Sequence, residues 1–144
     1  MSPPKRYSER RRLLPPRLLL GEADPARRAT LVRGLTHAGF EVVAVADPQA
    51  LHAELARPLL EASVRSFAAV VVGPSCASAG VLRLAKGARA RNTRLQVVLN
   101  GLPPGSLRGF AERLGLEPAP ELHLHELTSR LSVILLRPHA RRGA

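Results

Sequence analysis

Five short apolar segments alternate along this chain with stretches in which apolar side chains recur every three or four residues. The short segments have the length of strands, and the longer stretches have the period of amphipathic helices. Such alternation is typical of repeated strand-helix-strand units, in which the strands pair in parallel. The 144 residues suffice for five units around one core. The sequence therefore predicts a single α/β domain with a doubly wound, five-stranded parallel sheet and helices on both faces.

Local signals mark where several of these elements begin and end. Asp24-Pro25 and Asp47-Pro48 each place a capping carboxylate before a proline at the first helical position, which predicts two helix starts. Gly39 is expected to end the first helix. Pro58 is expected to kink or end the second, because proline lacks the amide donor that a helix interior requires.

The later elements are less regular. Residues 68–72 are apolar without alternation, which predicts a central strand covered on both faces. Residues 116–124 contain two prolines and predict only an abbreviated edge strand. The last helix, at about residues 125–136, is expected to align Leu127, Leu131 and Ile134 on one stripe.

Composition excludes several classes of protein. Aromatic residues make up only 3% of the chain, so the core is expected to be aliphatic. Cys76 is the single cysteine, which excludes an intramolecular disulfide and a cysteine-rich zinc site. No apolar run reaches the roughly 18 residues that a membrane helix needs, and no signal-peptide core is present. These features predict a cytoplasmic protein without a membrane partner.

The net charge of +11 is concentrated in the terminal segments. Residues 1–16 are predicted to form a flexible basic arm and residues 137–144 a basic tail, and together they hold seven of the eleven net charges. Residues 17–136, the predicted folded domain, keep four charges that we expect to be spread over several elements. Two explanations stay open: solvated tails with a coding bias towards arginine, or polyanion contacts through arginine, which favours bidentate binding of phosphate. The candidate contacts are Arg10, Arg11, Arg12, Arg141 and Arg142.

The opening of the domain narrows the fold further. Residues 17–48, RLLLGEADPARRATLVRGLTHAGFEVVAVADP, predict a strand, an acidic turn, a helix, a glycine and a second strand. This segment resembles the opening of a bacterial response-regulator receiver domain of the CheY-like type. Flavodoxin-like and nucleotide-binding domains share the periodicity, and the acidic turn before Asp24-Pro25 is the local motif that favours a receiver. The resemblance extends to about residue 136 and implies the strand order 2-1-3-4-5.

The resemblance also implies a phosphorylation pocket at the carboxyl ends of the strands. A receiver has an acidic pair after the first strand, a phosphorylated aspartate after the third, a hydroxyl residue after the fourth and a lysine after the fifth. Position by position, this chain keeps one acid, Glu22, and has Ala23 in place of the second. Gly73 stands at the position of the phosphoacceptor and Asn100 at that of the hydroxyl residue. Pro120 or its neighbour stands at the position of the lysine. The pocket is therefore predicted to be vestigial.

The other candidate groups of reactive residues lack the additional side chains that a metal site or a catalytic site needs. Glu22 alone is a poor magnesium ligand set when Asp24 serves as a helix cap, and we expect Glu22 to pair with a nearby arginine. His123 and His125 are spaced like ligands on one face of a strand but lack further donors. Cys76 has no specified base. No phosphate-binding loop, dinucleotide fingerprint or nucleophile elbow is present. We expect no metal, no cofactor and no enzymatic activity.

These observations lead to three functional hypotheses. The first is a phosphorylation-independent, receiver-like interaction module in bacterial signal transduction. The resemblance implies that its protein partner, or a second copy, binds the face formed by the fourth helix, fifth strand and fifth helix, with candidate residues Leu107, Phe110, Leu127, Arg130 and Leu135. The alternative is a nucleic-acid-binding accessory protein with arginine-rich tails and a dimerising domain. Phosphorylation of Ser75 or Ser78 ranks last, because a serine there lacks a metal cage.

Overall fold

The computed structural model describes residues 14–135, which fold into five strands and five α-helices. The strands are β1 (Arg17–Gly21), β2 (Glu41–Val45), β3 (Ala69–Val72), β4 (Gln96–Asn100) and β5 (Pro118–Ala119). The helices are α1 (Pro25–His37), α2 (Pro48–Leu60), α3 (Ala79–Arg91), α4 (Ser106–Arg113) and α5 (Leu124–Leu135), with a short 3-10 turn at Pro74–Cys76. Nearly all of the predicted arm and tail lies outside the described residues.

The strands form one parallel sheet in the order β2-β1-β3-β4-β5, which confirms the predicted fold class and topology. Every residue of β3 is buried, as expected for its central position. β5 has only two residues, and Pro118 lies opposite Leu99 at the edge of the sheet. The two prolines predicted this abbreviation correctly, because proline cannot donate to a strand ladder.

Helices cover both faces of the sheet, and each face has its own aliphatic core. Alternate residues of β1 point to opposite faces: Leu19 joins the core beneath α2, α3 and α4, whereas Leu18 and Leu20 join the core beneath α1 and α5. Within residues 14–135, no helix has the length and apolarity needed to cross a membrane.

The predicted helix starts are confirmed at both Asp-Pro pairs. The carboxylate of Asp24 accepts a hydrogen bond of 3.2 Å from the backbone amide of Ala26, and the carboxylate of Asp47 accepts one of 2.8 Å from the backbone amide of Ala50. These bonds satisfy amides that the first turn leaves without a helical partner. Pro58 falls in the last turn of α2, which ends two residues later.

The apolar stripe of α5 differs from the prediction at one position. Leu127 and Leu131 are fully buried, and the spacing of four continues to the half-buried Leu135. Ile134, which was predicted to complete the stripe, keeps 37% of its surface exposed, and Val133 keeps 52%. The helix therefore leaves two large apolar side chains outside the core.

Candidate functional site

The carboxyl ends of the parallel strands meet at one edge of the sheet, and this edge carries the predicted pocket. Glu22 follows β1 directly, and Gly73 follows β3. The structure places them side by side: a Cβ atom built on Gly73 would lie 3.4 Å from Oε1 of Glu22. The geometry therefore brings together the two positions where the resemblance implies a metal-binding acid and a phosphoacceptor.

Gly73 has no space for a side chain. Its amide donates to the carbonyl oxygen of Gly21 at 2.9 Å, which extends the pairing of β1 and β3 by one residue. A Cβ atom on Gly73 would lie only 2.7 Å from that same carbonyl oxygen. The backbone torsions of Gly73, φ −72° and ψ 160°, are open to any residue, so the restriction is steric rather than conformational.

Glu22 is already neutralised. Its Oε1 pairs with Nε of Arg27 at 3.3 Å, as the prediction of an arginine partner required, and its Oε2 accepts the amide of Asp24 at 3.1 Å. The side chain is only 13% exposed. Arg27 also pairs with Glu121, which follows β5, so one guanidinium joins two loops of the edge.

A second guanidinium closes the loop after β1. Nη1 of Arg28 donates to the carbonyl oxygens of Glu22 and Ala23 at 2.9 and 3.3 Å. Oxygen atoms that a magnesium ion would require are therefore engaged by cations. Within residues 14–135, no group of three or more histidine, cysteine, aspartate or glutamate side chains could hold a metal ion.

Asn100 points into the protein rather than into an open pocket. It is 4% exposed, its Oδ1 accepts the amide of Leu122 at 2.7 Å, and its Nδ2 donates to the carbonyl oxygen of Leu122 at 3.4 Å. Both halves of the amide thus hold the loop between β5 and α5. At the position where the resemblance implies a phosphoryl-sensing hydroxyl, this chain has a buried asparagine that binds the backbone of Leu122.

The loop after β5 carries an acid where the resemblance implies a lysine. Pro120 is exposed, and the next residue, Glu121, packs against Gly101, whose φ of +79° is a conformation that favours glycine. The sequence assigned the lysine position to Pro120 or its neighbour and placed this loop at the edge, but it did not indicate the ion pair of Glu121 with Arg27.

The remaining reactive side chains offer little chemistry. Cys76 is fully buried, and burial together with the nearby Glu22 and Asp47 carboxylates raises the pKa of its thiol. Ser78 caps α3 by accepting the amide of Val81 at 3.1 Å. His123 and His125 are exposed, and the prediction that they share a strand is wrong, because α5 begins between them.

The structure leaves only part of the predicted partner face exposed. Leu127 lies on the inner side of α5 and is fully buried, so it cannot contact a partner. Arg130 is exposed, whereas the predicted residues Leu107, Phe110 and Leu135 are half-buried and pack against the core. Val133 and Ile134, which the predicted face does not contain, are the large exposed apolar side chains of α5. The candidate polyanion contacts Arg10, Arg11, Arg12, Arg141 and Arg142 lie outside the described residues.

Comparison with solved structures finds many receiver domains of the same fold. A CheY-like response regulator receiver domain from Methanospirillum hungatei superposes with a TM-score of 0.64 at 14% identity, covering 88% of this chain and 98% of its own. An orphan response regulator of H. pylori matches with a TM-score of 0.60 at 16% identity, covering 83% of this chain and 96% of its own.

A third similar structure is an atypical orphan response regulator, with a TM-score of 0.60 at 16% identity over 83% of this chain and 95% of its own. That protein is described as revealing a phosphorylation-independent regulatory mechanism. No protein-family model and no curated protein matches the sequence. At these identities the likeness establishes the receiver fold and leaves the function to be argued from the site.

Proposed function

We propose that this chain is a receiver-like domain that works without phosphorylation, as a protein-interaction module in bacterial signal transduction. The observation that carries the proposal is the steric closure at Gly73. An aspartate there would need to displace the carbonyl oxygen of Gly21, which lies 2.7 Å from the position of a Cβ atom. The fold supplies the scaffold of a receiver, and the backbone excludes the side chain that receives the phosphoryl group.

The electrostatics of the edge support the same proposal. Phosphoryl transfer to a carboxylate needs a divalent cation to neutralise developing charge. Here Arg27 forms ion pairs with both Glu22 and Glu121, and Arg28 binds the carbonyl oxygens beside them. These internal cations hold the loops in one arrangement. A domain whose switch is fixed in this way can still present a surface to a partner.

Treatment with a small phosphodonor and magnesium is expected to leave the intact mass of the protein unchanged. Beryllium trifluoride, which mimics a phosphoryl group on aspartate, is likewise expected to leave the NMR amide shifts of Gly73 and Asn100 in place. A phosphorylation-competent receiver domain treated in parallel serves as the control for both reagents. A stoichiometric phosphoryl adduct on this chain would contradict the proposal, and peptide mapping would then identify the residue that accepts it.

The interaction surface is proposed to centre on the outer face of α5, where Val133 and Ile134 are exposed beside Arg130. Large apolar side chains flanked by a cation are typical of interface cores. The double variant Val133→Ser with Ile134→Ser is expected to weaken binding of a protein partner or a second copy at least about tenfold. Sedimentation velocity measures binding of a second copy. A photo-cross-linking residue in place of Arg130 identifies a protein partner, whose affinity for the unchanged chain and for the double variant is then measured directly.

Leu60→Ser is the matched control for this surface. Leu60 is 81% exposed at the end of α2, on the opposite face of the sheet, so its replacement removes apolar surface without touching α5. Equal weakening by the control would show that the partner does not recognise α5. A protein that neither self-associates nor cross-links from Arg130 would contradict the interaction half of the proposal.

A further inference from the structure

The two edge strands of the sheet differ in whether another strand could pair with them. β5 has only two residues, and Pro118 and Pro120 occupy that edge, where proline cannot donate to a ladder. β2 has five residues in register with β1, and within residues 14–135 β1 is the only strand that pairs with it. The sheet therefore has one edge, at β2, that could accept a further strand.

The backbone groups of β2 alternate between β1 and the free edge. The amide of Glu41 donates to the carbonyl oxygen of Pro16 at 2.9 Å, and the carbonyl oxygen of Val45 accepts a bond of 3.0 Å from the residue after β1. The odd-numbered residues thus bond towards β1, and the residues between them point the other way. The amides and carbonyl groups of Val42 and Ala44 therefore face outwards, where the described structure has no neighbouring strand.

β2 also lacks the features by which proteins usually block an open edge. Residues 42–46, VVAVA, contain neither a charged residue nor a proline, and the register with β1 has no bulge. Glu41, at the start of the strand, is neutralised within the domain by Arg17 and Arg65, at 3.1 and 2.9 Å. An unprotected edge of this kind pairs with extended peptide chains, because these supply donors and acceptors in the same alternation.

A groove runs beside this edge, between α1 and β2. One flank of α1 is closed by α5, because a Cβ atom built on Gly34 would lie 2.5 Å from the side chain of Leu124. The opposite flank is open towards β2 and lines a groove of about 750 Å³. Its apolar lining comes from both elements and includes Ala29, Val32 and Ala44.

The groove is about as long as the strand beside it. It extends along α1 from Pro25 to Thr36, which the helical rise converts to about 17 Å. An extended chain of about five residues has the same length. A strand added to β2 would therefore pair along its whole length and place alternate side chains in the groove.

The charge of the groove selects among possible occupants. Arg28, Arg33 and His37 line it, and no carboxylate is among its described lining residues. Within residues 14–135, neither arginine forms an ion pair. The β2 strand of a second copy would bring no acid in residues 42–46, and antiparallel pairing about a two-fold axis would set like charges together. An acidic extended peptide complements both the backbone of the edge and the charge of the groove.

We propose that the β2 edge and the groove beside α1 bind an acidic, extended segment of a partner protein, which adds a strand to the sheet. The outward amides and carbonyl groups of Val42 and Ala44 bond to its backbone, and Arg28 and Arg33 attract its carboxylates. Main-chain bonds supply the affinity in such strand addition, and the pockets for alternate side chains supply the specificity. This inference goes beyond the proposed function and does not depend on the outer face of α5.

Amide hydrogen exchange of the full chain, measured by NMR, tests the inference directly. The probe is an acetylated and amidated peptide of about six residues in which glutamate and valine alternate. When about 90% of the protein has bound the peptide, the amides of Val42 and Ala44 are expected to exchange about tenfold more slowly, because exchange then proceeds through the unbound fraction. The amide of Val43 points to β1 and is expected to exchange slowly with and without the peptide.

Two variants test the backbone and the charge of the site separately, with affinity measured by fluorescence anisotropy of the labelled peptide. Ala44→Pro removes an outward amide, which an edge strand tolerates, and is expected to weaken binding at least about tenfold. Arg33→Glu is expected to weaken it about fivefold. Lys86→Glu is the matched control for charge, because Lys86 is exposed in the middle of α3 on the opposite face of the sheet, and its replacement is expected to change affinity less than about twofold.

No binding of the acidic peptide at about 1 mM, or unchanged exchange at Val42 and Ala44 when it is bound, would overturn the inference. So would equal weakening by Arg33→Glu and Lys86→Glu, or equal binding of a peptide in which lysine and valine alternate. Protection of the two outward amides that rises with protein concentration alone would instead assign the edge to a second copy. Thermal unfolding of each variant checks that it is folded, and the exchange measurement on the unchanged chain decides the question if Ala44→Pro is not.

Discussion

Replacing Gly73 with alanine is expected to lower the free energy of unfolding by about 1–3 kcal/mol, the range found for overpacking of a filled site. The added methyl group would lie 2.7 Å from the carbonyl oxygen of Gly21, which is backbone and cannot rotate away. Either β1 and β3 separate locally, or the bond from the amide of Gly73 to that oxygen is lost. Urea unfolding followed by circular dichroism measures the change.

The same reasoning predicts that Gly73→Asp does not restore phosphorylation. Its carboxylate would carry the steric burden of the alanine and would also approach Oε1 of Glu22, which lies 3.4 Å from the Cβ position. A second carboxylate beside Glu22 would repel its charge and compete for its ion pair with Arg27. We therefore expect Gly73→Asp to be less stable than Gly73→Ala and to show no mass gain with a phosphodonor.

Gly87→Ala is the matched control for this substitution. Gly87 is exposed on α3, and nothing lies within 4 Å of a Cβ atom built there. Alanine is expected to raise stability by about 0.5–1 kcal/mol at such a position, because glycine loses more backbone entropy in a helix. If both substitutions changed stability by the same amount, the edge between β1 and β3 would not be closed to side chains.

The parts of the fold that follow from local chemistry could be predicted from the sequence. Asp24 and Asp47 cap helices through amides two or three residues away, and the unbroken apolar run of β3 announces burial on both faces. The prolines near β5 limit that strand in the same local way. These signals lie within a few residues of the elements that they specify.

The α5 stripe shows how a small error in phase changes a surface. The prediction continued from Leu127 and Leu131 in a step of three and placed Ile134 in the core. The structure continues in a step of four to Leu135 and leaves Ile134 exposed. Helical spacing permits both steps, so only the position of the helix on the sheet distinguishes them.

The site depends on contacts between residues that are distant in sequence. The carbonyl oxygen of Gly21 occupies the space that a side chain on Gly73 would need, and Arg27 pairs with Glu121 in the loop after β5. The resemblance placed Gly73 at the position of a receiver's phosphoacceptor, but no local pattern indicates that the carbonyl oxygen of Gly21 lies 2.7 Å from the Cβ position there.

Asn100→Thr, which introduces the hydroxyl that a receiver would have, is expected to lower the free energy of unfolding by about 1–3 kcal/mol. The buried amide of Asn100 both accepts from and donates to the backbone of Leu122. A shorter hydroxyl side chain cannot span both bonds, and a buried backbone group left without a partner is destabilising. Urea unfolding measures the loss, and faster hydrogen exchange at the amide of Leu122 locates it.

Gln96→Thr is the control on the same strand. Gln96 is half-buried at the opposite end of β4, and Nε2 of its side chain donates one hydrogen bond of 3.3 Å, to the carbonyl oxygen of Arg94. Its replacement is expected to change stability by no more than about 0.5 kcal/mol, as for substitutions away from buried networks. A similar small effect of Asn100→Thr, with unchanged exchange at Leu122, would mean that the loop after β5 is not held by Asn100. The expected difference would show that Asn100 anchors the loop after β5 through its bonds to Leu122.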